Sequence, residues 1–161
     1  MYDWLSIDIA SSAMSAERRR MAAIASNLAN ANTTRTPEGG AYKPLEVVFR
    51  AKTPTKFQAM LETQLGTSIG REYSRMDQAV FEKHLRGVEA EVIEVDRQPL
   101  LRHDPSHPDA DPQTGFVAFP DISPVEQMTN MIAAARMYDA NAALSRSTKS
   151  MIEDAIQALS S

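Results

Sequence analysis

The sequence predicts an α+β fold. Long N- and C-terminal α-helices pack as a coiled-coil-like pair, and a small β-rich middle domain carrying short helices lies between them. Three observations predict it. Residues 2–32 contain no Pro or Gly, and neither does the stretch after Pro124. In both stretches apolar residues recur at the three-to-four spacing of a helix. Between them, short β-branched and aromatic runs are separated by Pro- and Gly-containing turns. The expected division is an assembly helix at 1–34, a middle domain at 35–122 with an inserted helical segment at about 53–86, and a second assembly helix at 123–161.

The first helix is expected over Tyr2 to Asn32. Ile7, Met14, Met21 and Leu28 recur every seven residues, the pattern of a coiled-coil stripe. Ala10 and Ile24 stand three positions further on, and Glu17 breaks that second row. Asp3 is expected to cap the start. Asn30 and Asn32 end the helix, because Asn tolerates the left-handed conformation found there.

The middle is punctuated. Pro37-Glu38-Gly39-Gly40 reads as a turn and Leu45 to Phe49 as a strand. Phe57, Met60, Leu61 and Leu65 have helical spacing, and Met76 to Arg86 reads as a second short helix between Ser74 and Gly87. Val88 to Val95, Leu100-Leu101 and Phe116 to Phe119 read as further strands. His103 to Pro112 holds three prolines and is expected to be a stiff polar loop.

Ser123-Pro124-Val125-Glu126 is a start signal for the last helix. Ser caps, Pro takes the first helical position and Glu126 reaches back as a capping box. Met128, Met131, Ala135, Tyr138 and Ala142 follow at helical spacing. The stripe falters at Ser145 and Lys149, then resumes at Ile152, Ile156 and Leu159.

Composition narrows the function. The chain has 161 residues, is 43% hydrophobic and carries a net charge of −4. Nothing global points to nucleic acid or an anionic membrane. Many apolar residues are Ala or Met, which bury less area than Leu, Ile or Phe, so partners are expected to complete the core. The absence of cysteine excludes disulfides, thiolate catalysis and Cys-ligated metal. No stretch has the apolar length of a membrane span. Met1 to Ile9 lacks the basic region and apolar run of a cleaved secretory signal, so the chain is expected either to stay in the cytoplasm or to leave it uncleaved.

One cluster carries possible chemistry. His103, His107, Asp104, Asp109 and Asp111 supply divalent-metal ligand types. The prolines deny the helical spacing such ligands commonly use, and the other reading is a rigid loop whose Asp side chains satisfy local backbone N–H groups. Arg18-Arg19-Arg20 spreads around a helix at about 100° per residue and cannot form one flat patch, so a solvated or ion-paired role is expected. Thr36 to Gly40 lacks the Lys and Ser/Thr of a phosphate loop.

Ile24-Ala25-Ser26-Asn27-Leu28-Ala29-Asn30-Ala31-Asn32-Thr33 resembles the N-terminal signature of flagellar rod and hook axial proteins. Thr34 to Tyr42 with Val47-Val48-Phe49, and Asp104 to Asp111 with Gly115-Phe116-Val117, look like the proximal-rod branch of that family. Val125 to Met128 and Met131 to Asn141 are similar to the family's C-terminal motif. The blocks span nearly the whole chain in the family's order. Residues 53–86 look longer and more helical than the family pattern, and Lys43-Pro44 stands where a basic pair is common.

The resemblance implies a non-enzymatic structural subunit of the bacterial flagellum basal body, in the rod crossing the periplasm. It implies export through the flagellar type III apparatus without signal cleavage, terminal helices around the export channel, and a middle segment outside. The implied partners are other rod subunits, copies of itself and the export apparatus, with no cofactor, no nucleic acid and no membrane insertion. Subunit-assembly residues are expected to be Ile7, Met14, Met21, Ile24 and Leu28 against Met128, Met131, Ala135, Tyr138, Ala142 and Ile152. Asn27, Asn30 and Asn141 are expected to fix register, because a polar group in an apolar seam penalises misalignment. The rivals are another axial rod protein, a metal-dependent hydrolase on the His103–Asp111 loop, and a soluble helical adaptor or export chaperone.

Overall fold

Uninterrupted by Pro or Gly, Tyr2–Ala29 forms the helix α1. It begins before Asp3, so the residue expected at the cap position falls within the helix span. At its end the chain turns through Asn30, whose Nδ2 donates to the Ser26 carbonyl at 2.9 Å. The computed structural model describes residues 2–52 and 86–160. The helices expected at 57–65 and 76–86, and His84, fall outside the described residues, apart from Arg86.

Thr36 to Gly40 closes the expected turn. Gly39 N–H donates to the Thr36 carbonyl at 3.0 Å, and Thr36 N–H donates to the Gly40 carbonyl at 2.9 Å. Gly39 and Gly40 have φ of 93° and 79°, values that an L side chain rarely adopts. Strand β1 (Leu45–Ala51) then pairs antiparallel with β2 (Val88–Glu94), Leu45 opposite Glu94 and Ala51 opposite Val88. Strands β3 (Leu100–His103) and β4 (Phe116–Phe119) form a second antiparallel pair around the His-Asp loop.

Helix α2 spans Pro124–Ser160. Glu126 N–H donates to Ser123 Oγ at 3.4 Å, and Gln127 N–H donates to the Ser123 carbonyl at 3.0 Å. The Ser half of the expected capping box is therefore present. The most extensive contact between elements is α1 against α2; β2 and β1 also pack on α1. Asn27 near the end of α1 lies 3.4 Å from Gln127 in the first turns of α2, so the two helices run antiparallel.

Among the described residues the architecture is α+β, with two long helices and two small antiparallel sheets. Its buried apolar residues are mostly Ala, with Ile24, Val117 and Ile122 the larger ones. That matches the composition and makes for thin packing per residue. No helix among the described residues is long and apolar enough to cross a membrane.

Candidate assembly interface

Helix α1 has two working faces. One meets the β1–β2 pair. An antiparallel ladder alternates hydrogen-bonded pairs with pairs whose backbone groups point outward. Val95 N–H donates to the Pro44 carbonyl at 2.9 Å and Lys52 N–H to the Gly87 carbonyl at 2.7 Å. With the register above, Leu45, Val88 and Ala90 therefore turn their backbone groups outward. Side chains of α1 reach all three. Asn27 Oδ1 accepts from Leu45 N–H at 2.8 Å and its Nδ2 donates to the Leu45 carbonyl at 2.8 Å. Ser12 Oγ accepts from Val88 N–H at 3.0 Å. Arg19 Nη1 donates to the Ala90 carbonyl at 2.8 Å.

Ser12, Arg19 and Asn27 are spaced so that one helix face presents them, with buried Ala16 and Ala23 between. The small Ala side chains let the helix approach the strands closely enough for hydrogen bonds to form. Gly87 tightens the same joint, since a Cβ there would stand 2.7 Å from Ser12 Oγ. Arg20 lies over the Phe49 ring, 6.0 Å from its centroid. Of the three arginines, Arg19 thus binds strand backbone and Arg20 contacts an aromatic ring of β1.

The other face carries Ala10, Glu17 and Ile24, and Ala31 just past the helix end continues the seven-residue spacing, all four buried. Among the described elements, α2 is the remaining one packed on α1, and it covers this row. Ile7, Met14, Met21 and Leu28 flank this row half-buried. The row that Glu17 interrupts in the sequence is therefore the deeper one.

On α2 the covered residues are Gln127, Met131, Ala134, Tyr138, Asn141, Ser145, Thr148 and Ile152, at alternating spacings of four and three. Ala135 and Ala142 border them half-buried. The stripe continues through Ser145 and passes Thr148, while Lys149 is exposed and pairs with Glu153 at 3.7 Å. Met128, expected against α1, lies outside this stripe and is exposed; Gln127 occupies the covered position. One residue back from the stripe runs a second one, exposed: Met137, Leu144 and Met151, at 52%, 53% and 65% of full exposure. Val125, Ile132 and Ile156 are further exposed apolar residues of α2, on other sides of the helix.

Within the chain, the three expected register residues make these hydrogen bonds. Asn27, 3% exposed, clamps Leu45. Asn30 serves the helix end, where its Oδ1 accepts from Thr33 Oγ1 at 3.2 Å. Asn141 Nδ2 donates to the Met137 carbonyl at 2.9 Å.

The polar loop is occupied with its own geometry. Asp104 Oδ1 accepts from Ser106 Oγ at 2.6 Å and Ser106 N–H at 3.2 Å. Asp111 accepts from Gln113 N–H at 2.9 Å and Thr114 Oγ1 at 2.9 Å. The Ser106 hydroxyl chiefly holds the Asp104 carboxyl below the ordinary range, and Gln113 N–H does so for Asp111. Asp109 reaches back to α1's end, accepting from Thr34 Oγ1 at 2.7 Å. His103 and His107 stand edge-on to Phe116 and Phe119. Among the described residues, no group of three or more His, Asp or Glu is placed to hold a metal.

The architecture has the marks of an axial structural protein: terminal helices paired antiparallel, a β joint on one side and apolar surface left outward on α2. Residues 7–35 match the family model described as flagella basal body rod protein, and residues 113–158 match the one for the C-terminal region of flagellar basal body rod FlgEFG proteins. The class is therefore that of flagellar basal-body rod proteins. Within it, the chain is 35% identical over 160 residues to the flagellar basal-body rod protein FlgC of Borreliella burgdorferi, covering 96% of this chain and 95% of that one. It is 29% identical to the FlgC of Bacillus subtilis, over 94% of this chain and 95% of that one. For the FlgC of Escherichia coli O6:H1 the identity is 32%, over 90% and 89%. The chain belongs to the FlgC family and is a structural rod subunit of the flagellar basal body.

Proposed function

We propose that residues 1–34 and 123–161 are the assembly helices of this rod subunit, with 35–122 as an outer domain fixed to them. The helices pair in a coiled-coil-like seam and, side by side with those of neighbouring subunits, wall the export channel. Torque from the motor then passes to the hook through many subunit contacts, with no chemical turnover. The chain reaches the rod, across the periplasm, through the flagellar type III export apparatus and without signal cleavage. Its neighbours are copies of itself and other rod subunits.

The observation that carries this reading is the two-sided α2. One face lies against α1, and the adjacent face leaves Met137, Leu144 and Met151 exposed. A run of large apolar side chains in the open marks a contact surface. The clamps at Ser12, Arg19 and Asn27 support the other half, since they fix the β1–β2 pair to the helix that must carry it. The test is Leu28→Asp at the half-buried margin of α1. Rod assembly and swimming are expected to be lost, and a mutant that swims normally would sink the proposal.

A further inference from the structure

Glu17 stands in the deepest row of α1, between Ala10 and Ile24, and is only 8% exposed. Its Oε2 is buried and has no hydrogen-bond partner. Among the described residues it pairs with Arg20 on the next turn, whose Nη1 is 3.8 Å away. That is too long for a hydrogen bond, and the Arg20 side chain is 32% exposed. A carboxylate oxygen held out of water without a hydrogen bond penalises the packed state, and an ion pair at that distance does not repay the desolvation. Every other member of the row is apolar, so Glu17 is its one ionisable residue.

We infer that Glu17 is a release point built into the helix pair. It holds the pair below the stability that an apolar seven-residue row gives. The two helices therefore separate readily before assembly, while the finished rod, with neighbours on α2's outer face, tolerates the defect. The inference rests on the proposed export of the unassembled chain.

The experiment compares the full chain with Glu17→Leu, Glu17→Met and Glu17→Gln. Thermal unfolding of the purified proteins is expected to rise by about 3 °C or more for the Leu and Met variants, the scale expected when a buried ionic group gives way to a packed apolar one. Gln keeps a buried polar group and is expected to gain less. In a motile host lacking its own copy of the subunit, the Leu and Met chains are expected to accumulate inside the cell. Their amount in purified basal bodies is expected to fall at least two-fold. Melting at or below the wild-type temperature for both apolar variants would overturn the inference, because the carboxyl would then be stabilising. Raised melting with undiminished incorporation would overturn it equally. The wild-type chain, assayed in the same basal bodies, separates the two readings: its absence sinks the rod proposal, whereas the melting comparison still tests the seam.

Discussion

Asn27 uses both ends of its amide on the backbone of one residue, Leu45. The side chain thereby acts as a one-residue strand, giving a donor and an acceptor to groups that face away from β2. Tyr42 Oη also donates to Asn27 Oδ1 at 3.4 Å and shares a 3.0 Å hydrogen bond with Ser26 Oγ, so the turn after α1 is tied to the same point. Removing the amide leaves a buried site with two unpaired backbone groups. Asn27→Ala is therefore expected to cost about 2 kcal/mol, read as a lower denaturation midpoint with an unchanged slope. Asn27→Asp keeps the acceptor for Leu45 N–H but sets an anion against the Leu45 carbonyl, so it is expected to rescue none of that loss. Nothing in the sequence distinguishes this Asn from Asn30 or Asn141. All three stand near apolar helix positions, and their partners lie on elements whose placement is non-local.

At the scale of elements, the two helix spans and four strands among the described residues were legible within a few residues, because their signals are local: spacing, Pro and Gly punctuation, and the Ser123 cap. Strand pairing was not legible, since the β1–β2 register depends on how the chain returns after β1. Nor was the sheet-facing stripe of α1. It consists of Ser, Ala, Arg and Asn, which read as polar surface until their bonds to strand backbone are seen. Glu17 misled in the opposite direction. It looked like a break in a row, yet the row is buried through it. The division of α2 into covered and exposed stripes gives a variant that separates folding from assembly. Leu144 is 53% exposed and lies off the α1 contact. Leu144→Asp is expected to leave the melting of the purified chain within about 0.5 kcal/mol of wild type, as exposed substitutions generally do. The same variant is expected to be missing from basal bodies. A destabilised monomer would place Leu144 in the chain's own core and remove it from the assembly surface.

For the whole molecule, the unequal helices matter. α2 has 37 residues and α1 has 28; at a rise of about 1.5 Å per residue the lengths are roughly 55 Å and 42 Å. Because Asn27 meets Gln127, the surplus of α2 lies beyond the start of α1. Exposure shows where cover from the chain itself ends. Among positions up to Ala158, Ile152 is the last half-buried one, and Glu153 to Ala158 are exposed, including Ile156. An isolated helical overhang of this kind gains little from its own backbone, since short helices are marginal in water without packing. In the proposed assembly, another subunit supplies the surface it lacks. Ending the chain after Ser150 removes this overhang, together with exposed Met151 and half-buried Ile152. The shortened chain is expected to unfold within about 1 kcal/mol of the full one, since most of what it loses is exposed. It is also expected to be absent from basal bodies and to leave the cells non-motile. A large loss of monomer stability would mean that the overhang folds back on its own chain. Normal swimming would mean that the subunit contacts end before Met151.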